Sequence, residues 1–154
     1  MIKGVKLCPL RQIVNPKGDL WHVYKSSDDG FCGFGEVYLT QVNYGEIKGW
    51  KKHMRHVLNI VVVSGRIKFV IYDDREDSTT HGMYEEYVLS PNDNYMRLVV
   101  PPGVWMAFCG LDNTMNMLLD FIECGQIVST HGVRGEVRVN PWCDSPKFLL
   151  QFKK

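Results

Sequence analysis

This chain has no long apolar run, no cysteine-pairing motif and no surplus of charge of either sign. Each absence removes a class of protein. Its longest apolar stretches, such as Ile60-Val61-Val62-Val63, fall far short of the ~20 residues that a membrane-spanning helix requires. The opening Met1-Ile2-Lys3-Gly4-Val5-Lys6 lacks the apolar core of a secretory leader, so the expected compartment is the cytoplasm. Five cysteines, at 8, 32, 109, 124 and 143, make an odd number with no Cys-x-x-Cys spacing. That fits reduced thiols better than a disulfide framework. Cys109 and Cys124 lie beside apolar runs and read as small core residues rather than nucleophiles. With 18 Lys and Arg against 17 Asp and Glu, the formal net charge is +1, too weak a field to hold nucleic acid. No nucleic acid or membrane partner is therefore expected. Long amphipathic helical stretches, internal repeats and low-complexity linkers are also missing.

What remains is one ordinary domain rich in strands. At 154 residues, 45% hydrophobic and 23% charged, residues 1–154 suffice for a single core. Gly35 to Val42 reads as a strand with Tyr38, Thr40 and Val42 on one face. Val57 to Val63 is rich in β-branched residues and stops at Ser64-Gly65. Arg66 to Tyr72 then alternates, so Ser64-Gly65 reads as a hairpin turn. Tyr84 to Leu89, Tyr95 to Val100 and Met115 to Ile122 supply further strands, and Pro91 to Asn94 is a loop. Phe148 to Phe152 is a short candidate for a last strand. Many short strands between turn signals point to an all-β antiparallel sandwich or jelly roll.

Two segments carry candidate chemistry. Gly49-Trp50-Lys51-Lys52-His53-Met54-Arg55-His56 gathers five cationic or imidazole groups just before an apolar strand. It reads either as a solvated loop or as an anion-facing mouth holding a base. Lysine and arginine, Arg55 among them, suit a phosphate-bearing ligand, and His53 suits proton transfer. His53 and His56 are three apart, which in a strand places them on opposite faces, away from a shared metal ion. Asp73-Asp74-Arg75-Glu76-Asp77 lacks the glycine and terminal glutamate of a calcium loop and reads as a turn between strands. The second segment is Pro101-Pro102-Gly103, a sharp turn feeding the apolar run Val104 to Phe108. In cupin barrels a Pro-x-Gly-x-x-His segment carries a metal-ligating histidine. Met106 stands in its place, so the pocket is expected to hold no metal.

The order and spacing of several motifs make the chain resemble a family. Asn15-Pro16-Lys17-Gly18-Asp19-Leu20, Thr40-Gln41-Val42-Asn43, Ile47-Lys48-Gly49-Trp50, Gly65 through Arg75, Gly82 with Leu89-Ser90, and Pro101-Pro102-Gly103 with Phe108 occur in sequence. From about Ile13 to Glu136 the chain is similar to the dTDP-4-dehydrorhamnose 3,5-epimerases and the dTDP-4-keto-6-deoxyglucose 3,4-ketoisomerases, which are cupin-type jelly-roll barrels. The resemblance implies a metal-independent epimerase or isomerase of a nucleotide-linked 4-keto-6-deoxy sugar. It also implies surface-polysaccharide synthesis, a homodimer formed by strand exchange, and no cofactor. A non-catalytic cupin that binds a nucleotide sugar is the alternative.

Family roles transfer by position. Gln41 and Asn43 match polar residues of the nucleotide-sugar pocket. Lys48 and Lys17 replace arginines that contact the diphosphate, keeping charge without the bidentate fork. Lys51 stands where the epimerases have their first histidine, and Leu119 where they have a tyrosine acid. His53 matches a second histidine of the ketoisomerases, and Tyr38 one of their tyrosines. The implied catalytic set is therefore His53 as base, Lys51 as base or enolate stabiliser, and Tyr38 as proton donor.

Overall fold

Antiparallel ladders organise the described residues. The computed structural model describes residues 1–31, 33–122, 125–131 and 136–141. Its strands are Lys6–Pro9 (β1), Gln12–Ile13 (β2), Leu20–Trp21 (β3), Glu36–Val42 (β4), Ile47–Lys52 (β5), Leu58–Ser64 (β6) and Ile67–Asp73 (β7). They continue with Tyr84–Leu89 (β8), Met96–Val100 (β9), Val104–Gly110 (β10), Asn116–Ile122 (β11), Gly125–His131 (β12) and Glu136–Pro141 (β13). One sheet runs β1-β9-β6-β11-β4 and a second runs β5-β10-β7-β8, while β2–β3 and β12–β13 pair separately. This is the expected all-β jelly roll. Among the described residues no helix is long and apolar enough to cross a membrane.

Period-two alternation builds the core. In β7, Ile67, Phe69 and Ile71 are fully buried, while Lys68, Val70 and Tyr72 between them are only partly so. Leu58, Ile60 and Val62 of β6, Leu98 and Val100 of β9, and Phe108 of β10 meet them in one apolar cluster. The same alternation corrects the reading of Cys109. Phe108 and Gly110 take the inward positions, so Cys109 between them is left half-buried. Cys32, Cys124, Cys143 and the candidate strand Phe148 to Phe152 lie outside the described residues.

Ser64-Gly65 is not a hairpin. β6 pairs with β11 and β9, whereas β7 pairs with β10 and β8, so this turn carries the chain from one sheet to the other. Gly65 has φ +69°, and a Cβ there would lie 2.6 Å from both Asn116 Oδ1 and the Met115 carbonyl. The crowding has a purpose. Buried Asn116 accepts from the backbone N–H of Arg66 and Asp112 and donates to the Asp112 carbonyl, which locks the crossover.

At the far end of β7, the acidic segment forms the expected turn. The Asp73 carboxylate, fully buried, accepts from Arg75 Nε (2.8 Å), Arg75 Nη2 (2.9 Å), Arg75 N (3.1 Å), Ser78 Oγ (2.6 Å) and Thr80 Oγ1 (2.6 Å). Arg75 Nη2 also donates to the Lys3 carbonyl, tying the start of the chain to the turn.

Candidate functional site

The two sheets enclose a cavity at one end of the barrel, and the pairing register decides which side chains reach it. Tyr38 of β4 lies directly across from Asp120 of β11, so both point the same way. The Tyr38 hydroxyl donates to Asp120 Oδ2 at 3.1 Å. On the opposing sheet Lys51 of β5 pairs with Met106 of β10, and both face the same space. His53, just beyond β5, and Thr40 complete the polar lining. Leu58, Ile60, Phe108 and Leu118 supply apolar walls. The cavity is narrow, about 10 Å³, the room of one water molecule, so any larger ligand would sit at its mouth.

The Pro101-Pro102-Gly103 turn anchors the histidine. The Gly103 N–H donates to the His53 carbonyl at 2.8 Å. Gly103 has φ +79°, and a Cβ there would press on the Arg75 side chain at 3.0 Å. The turn therefore lies between the barrel mouth and the Asp73–Arg75 network, and it leads into β10, where Met106 is inside the barrel, 3% exposed.

Residues 53–56 are not a strand, which corrects the reading of the two histidines. The chain bends there, and the His53 and His56 rings meet edge to face with centroids 5.9 Å apart. Alternation of faces applies only to extended backbone. Among the described residues, no third His, Cys, Asp or Glu joins them to make a group that could hold a metal ion.

Burial sets the electrostatics. Asp120 is 6% exposed, and its carboxyl is pushed up to about 6 by desolvation, against the lowering pull of the Tyr38 hydrogen bond and the Lys51 charge. Its Oδ1 is buried with no hydrogen-bond partner among the described residues. Burial, then the Asp120 charge and hydrogen bond, hold the Tyr38 phenol well above the usual tyrosine range. Lys51 is exposed rather than desolvated, so its position offers a positive charge at the mouth.

The remaining predicted residues divide into groups. Lys48 Nζ donates to the Gln41 carbonyl at 2.6 Å, and Gln41 Nε2 donates to Asn43 Oδ1 at 3.4 Å, so these three form one exposed rim where β4 turns into β5. Arg55 is exposed beside His53 and His56 in sequence. Lys17 is not brought to the cavity. It occupies the turn between β2 and β3, where its N–H donates to Asn15 Oδ1. Asp120 was missed by sequence reasoning. The available signal was a lone carboxylate inside the otherwise largely apolar run Asn116-Met117-Leu118-Leu119-Asp120-Phe121-Ile122.

Comparison with known proteins places this geometry beside sugar-modifying enzymes. A solved dTDP sugar isomerase from Desulfovibrio desulfuricans G20 superposes with a TM-score of 0.77 and 31% sequence identity, covering 94% of this chain and 88% of that one. The probable low-salt glycan biosynthesis epimerase Agl13 of Haloferax volcanii is 27% identical over 122 residues, 78% of each chain. The spore coat polysaccharide biosynthesis protein SpsL of Bacillus subtilis is 28% identical over 121 residues, 79% of this chain and 80% of that one. Separately, residues 122–154 match the model of the RimM N-terminal domain, a stretch that lies mostly outside the described residues.

Proposed function

Because the chain belongs to the family of dTDP-sugar epimerases and isomerases, we propose that it removes an α-proton beside the ketone of a dTDP-linked 4-keto-6-deoxy sugar and rebuilds the product from the enolate. The reading places the enzyme in glycan or polysaccharide synthesis, in the cytoplasm, as a homodimer. The observation that carries it is the convergence of His53, Lys51 and Tyr38 on one cavity.

Each residue has a chemical reason. A neutral imidazole near physiological pH is a competent base for a carbon acid made acidic by an adjacent ketone. The Lys51 ammonium at the mouth offsets the charge that develops on the enolate oxygen, the larger share of the barrier in such reactions. Tyr38 returns a proton. The rim of Lys48, Gln41 and Asn43, together with Arg55, receives the nucleotide diphosphate as point charges and hydrogen-bond partners. Lys17 joins only if a second copy of the chain brings its β2–β3 hairpin across.

Incubation with dTDP-4-keto-6-deoxyglucose in deuterium oxide tests the reading. Deuterium is expected at C3 or C5, with a rearranged or epimerised product. His53→Ala is expected to lose about 10²–10⁴-fold in exchange rate, the usual worth of a positioned base. Tight binding without any exchange would sink the catalytic reading in favour of a nucleotide-sugar-binding cupin.

A further inference from the structure

A buried carboxylate with a bare oxygen is costly, and Asp120 is one. An unsatisfied buried acceptor costs about 1–3 kcal/mol and more when charged, and Leu58, Ile60, Met106, Phe108 and Leu118 supply the apolar part of the wall around Asp120. No arginine or lysine forms an ion pair with it among the described residues, and it ties no loop. Among the described residues its one hydrogen bond runs to Tyr38, and its Oδ1 has no partner. Tyr38 in turn is a weak acid made weaker by burial and by the negative charge behind it. A tyrosine in contact with an ionised carboxylate cannot readily give up its proton. The same tyrosine backed by a protonated carboxyl can.

We propose that Asp120 is the proton reserve for Tyr38, and that the Tyr38–Asp120 pair delivers a proton to the sugar from the wall opposite His53. The proposal rests on the keto-sugar reading above and deepens it. Tyr38 and Asp120 both belong to the five-stranded sheet, whereas Lys51 lies in β5 of the four-stranded sheet and His53 directly follows that strand. A base on one wall and an acid on the other is the layout that inverts a stereocentre. A reaction that only shuttles one proton between neighbouring atoms needs a single wall.

The steps balance. His53 takes the α-proton and becomes imidazolium, and the substrate becomes an enolate. Tyr38 then gives its phenolic proton to the carbanionic carbon from the other face, while its oxygen takes the proton of the Asp120 carboxylic acid. Asp120 ends as carboxylate. Exchange with solvent removes the proton from His53 and restores that of Asp120, and no redox partner is required. Among the described residues that line the cavity, the titratable groups beside Asp120 are Tyr38 from β4, Lys51 from β5 and His53 beyond it, while β6 and β10 contribute only uncharged side chains.

The test is Asp120→Asn, which keeps the shape and the hydrogen bond to Tyr38 but holds no transferable acid proton. In deuterium oxide with dTDP-4-keto-6-deoxyglucose, inversion is expected to fall by about 10²-fold or more. Washing of deuterium into unreacted substrate is expected to continue, and KM to change little. The wild-type rate of inversion should decline as pH rises above about 6, and the variant should lack that limb. Tyr38→Phe leaves the carboxyl in place and should show the same exchange without inversion, which keeps the test alive if the first variant fails to fold. Inversion at the wild-type rate with an unchanged pH profile would overturn the proposal. So would an equal fall in exchange and inversion, which would put Asp120 on the abstraction step. A wild-type protein that neither exchanges nor inverts would defeat the underlying keto-sugar reading, and the proposal with it.

Discussion

Two aspartates in this barrel are almost equally buried and are used in opposite ways. Asp73 receives five hydrogen bonds from Arg75, Ser78 and Thr80, and those donors hold its carboxyl far below the usual range. Among the described residues Asp120 receives one and keeps an oxygen without a partner, and its carboxyl is pushed up to about 6. Burial acts on both in the same direction. The difference is the number of donors, which decides whether desolvation is offset. A satisfied buried carboxylate is a rivet. An unsatisfied one lowers stability wherever it is charged, a penalty tolerable where the charge change itself is of use.

The comparison breaks most visibly in stability. Asp73→Asn leaves the Arg75 guanidinium without its counter-charge, and chemical denaturation should show a loss of about 3 kcal/mol. The protein that remains folded should keep its turnover rate, since Asp73 does not line the cavity. An Asp73→Asn protein as stable as the wild type would mean that the network contributes little.

The second test is the sign of the pH dependence. The native Asp120 carboxyl titrates at about 6 against 3.8 for the free side chain. The native state therefore holds its proton more tightly than the unfolded chain, and stability falls as pH rises from about 4 to about 6. The size is on the order of 3 kcal/mol before relaxation reduces it. Asp73 has the opposite sign. Its depressed value adds stability that is present above the unfolded value and lost as pH falls below it. Thermal melts across this range should lose the pH 4–6 decline in Asp120→Asn and keep it in Asp73→Asn.

The smallest expected effect probes the link between the two regions. Gly103 has no room for a Cβ against the Arg75 side chain on one side, and its N–H holds the His53 carbonyl on the other. Gly103→Ala forces a side chain into positive φ and should cost about 1–2 kcal/mol of stability. A turnover rate lowered several-fold with a small change in KM would show that the turn positions the base. An unchanged rate would separate the structural network from the site.

Much of this molecule could be read before any coordinates. The alternation in β4 and β7, and the prolines and glycine ahead of β10, follow from local sterics and the two-residue period of a strand, and they placed Tyr38, Thr40 and Met106 indoors. The cationic segment ahead of β6 singled out Lys51 and His53, both of which line the cavity. Other features depended on the chain meeting itself at long range. Ser64-Gly65 has hairpin chemistry, yet the strands on either side find partners in different sheets. His53 and His56 looked divergent only under the assumption of a strand.

The sequence by itself determined that the protein is an all-β barrel, and its resemblance to keto-sugar epimerases and isomerases singled out His53, Lys51 and Tyr38 as candidates. Periodicity, turn residues and motif order are local properties, and they survive without a fold. Only the tertiary structure decided that Asp120 is buried against Tyr38. Its partner Tyr38 is 82 residues away, and neither the one hydrogen bond nor the bare oxygen exists until β4 and β11 pair. A shifted pKa is a property of an environment, and the chain creates that environment only by folding.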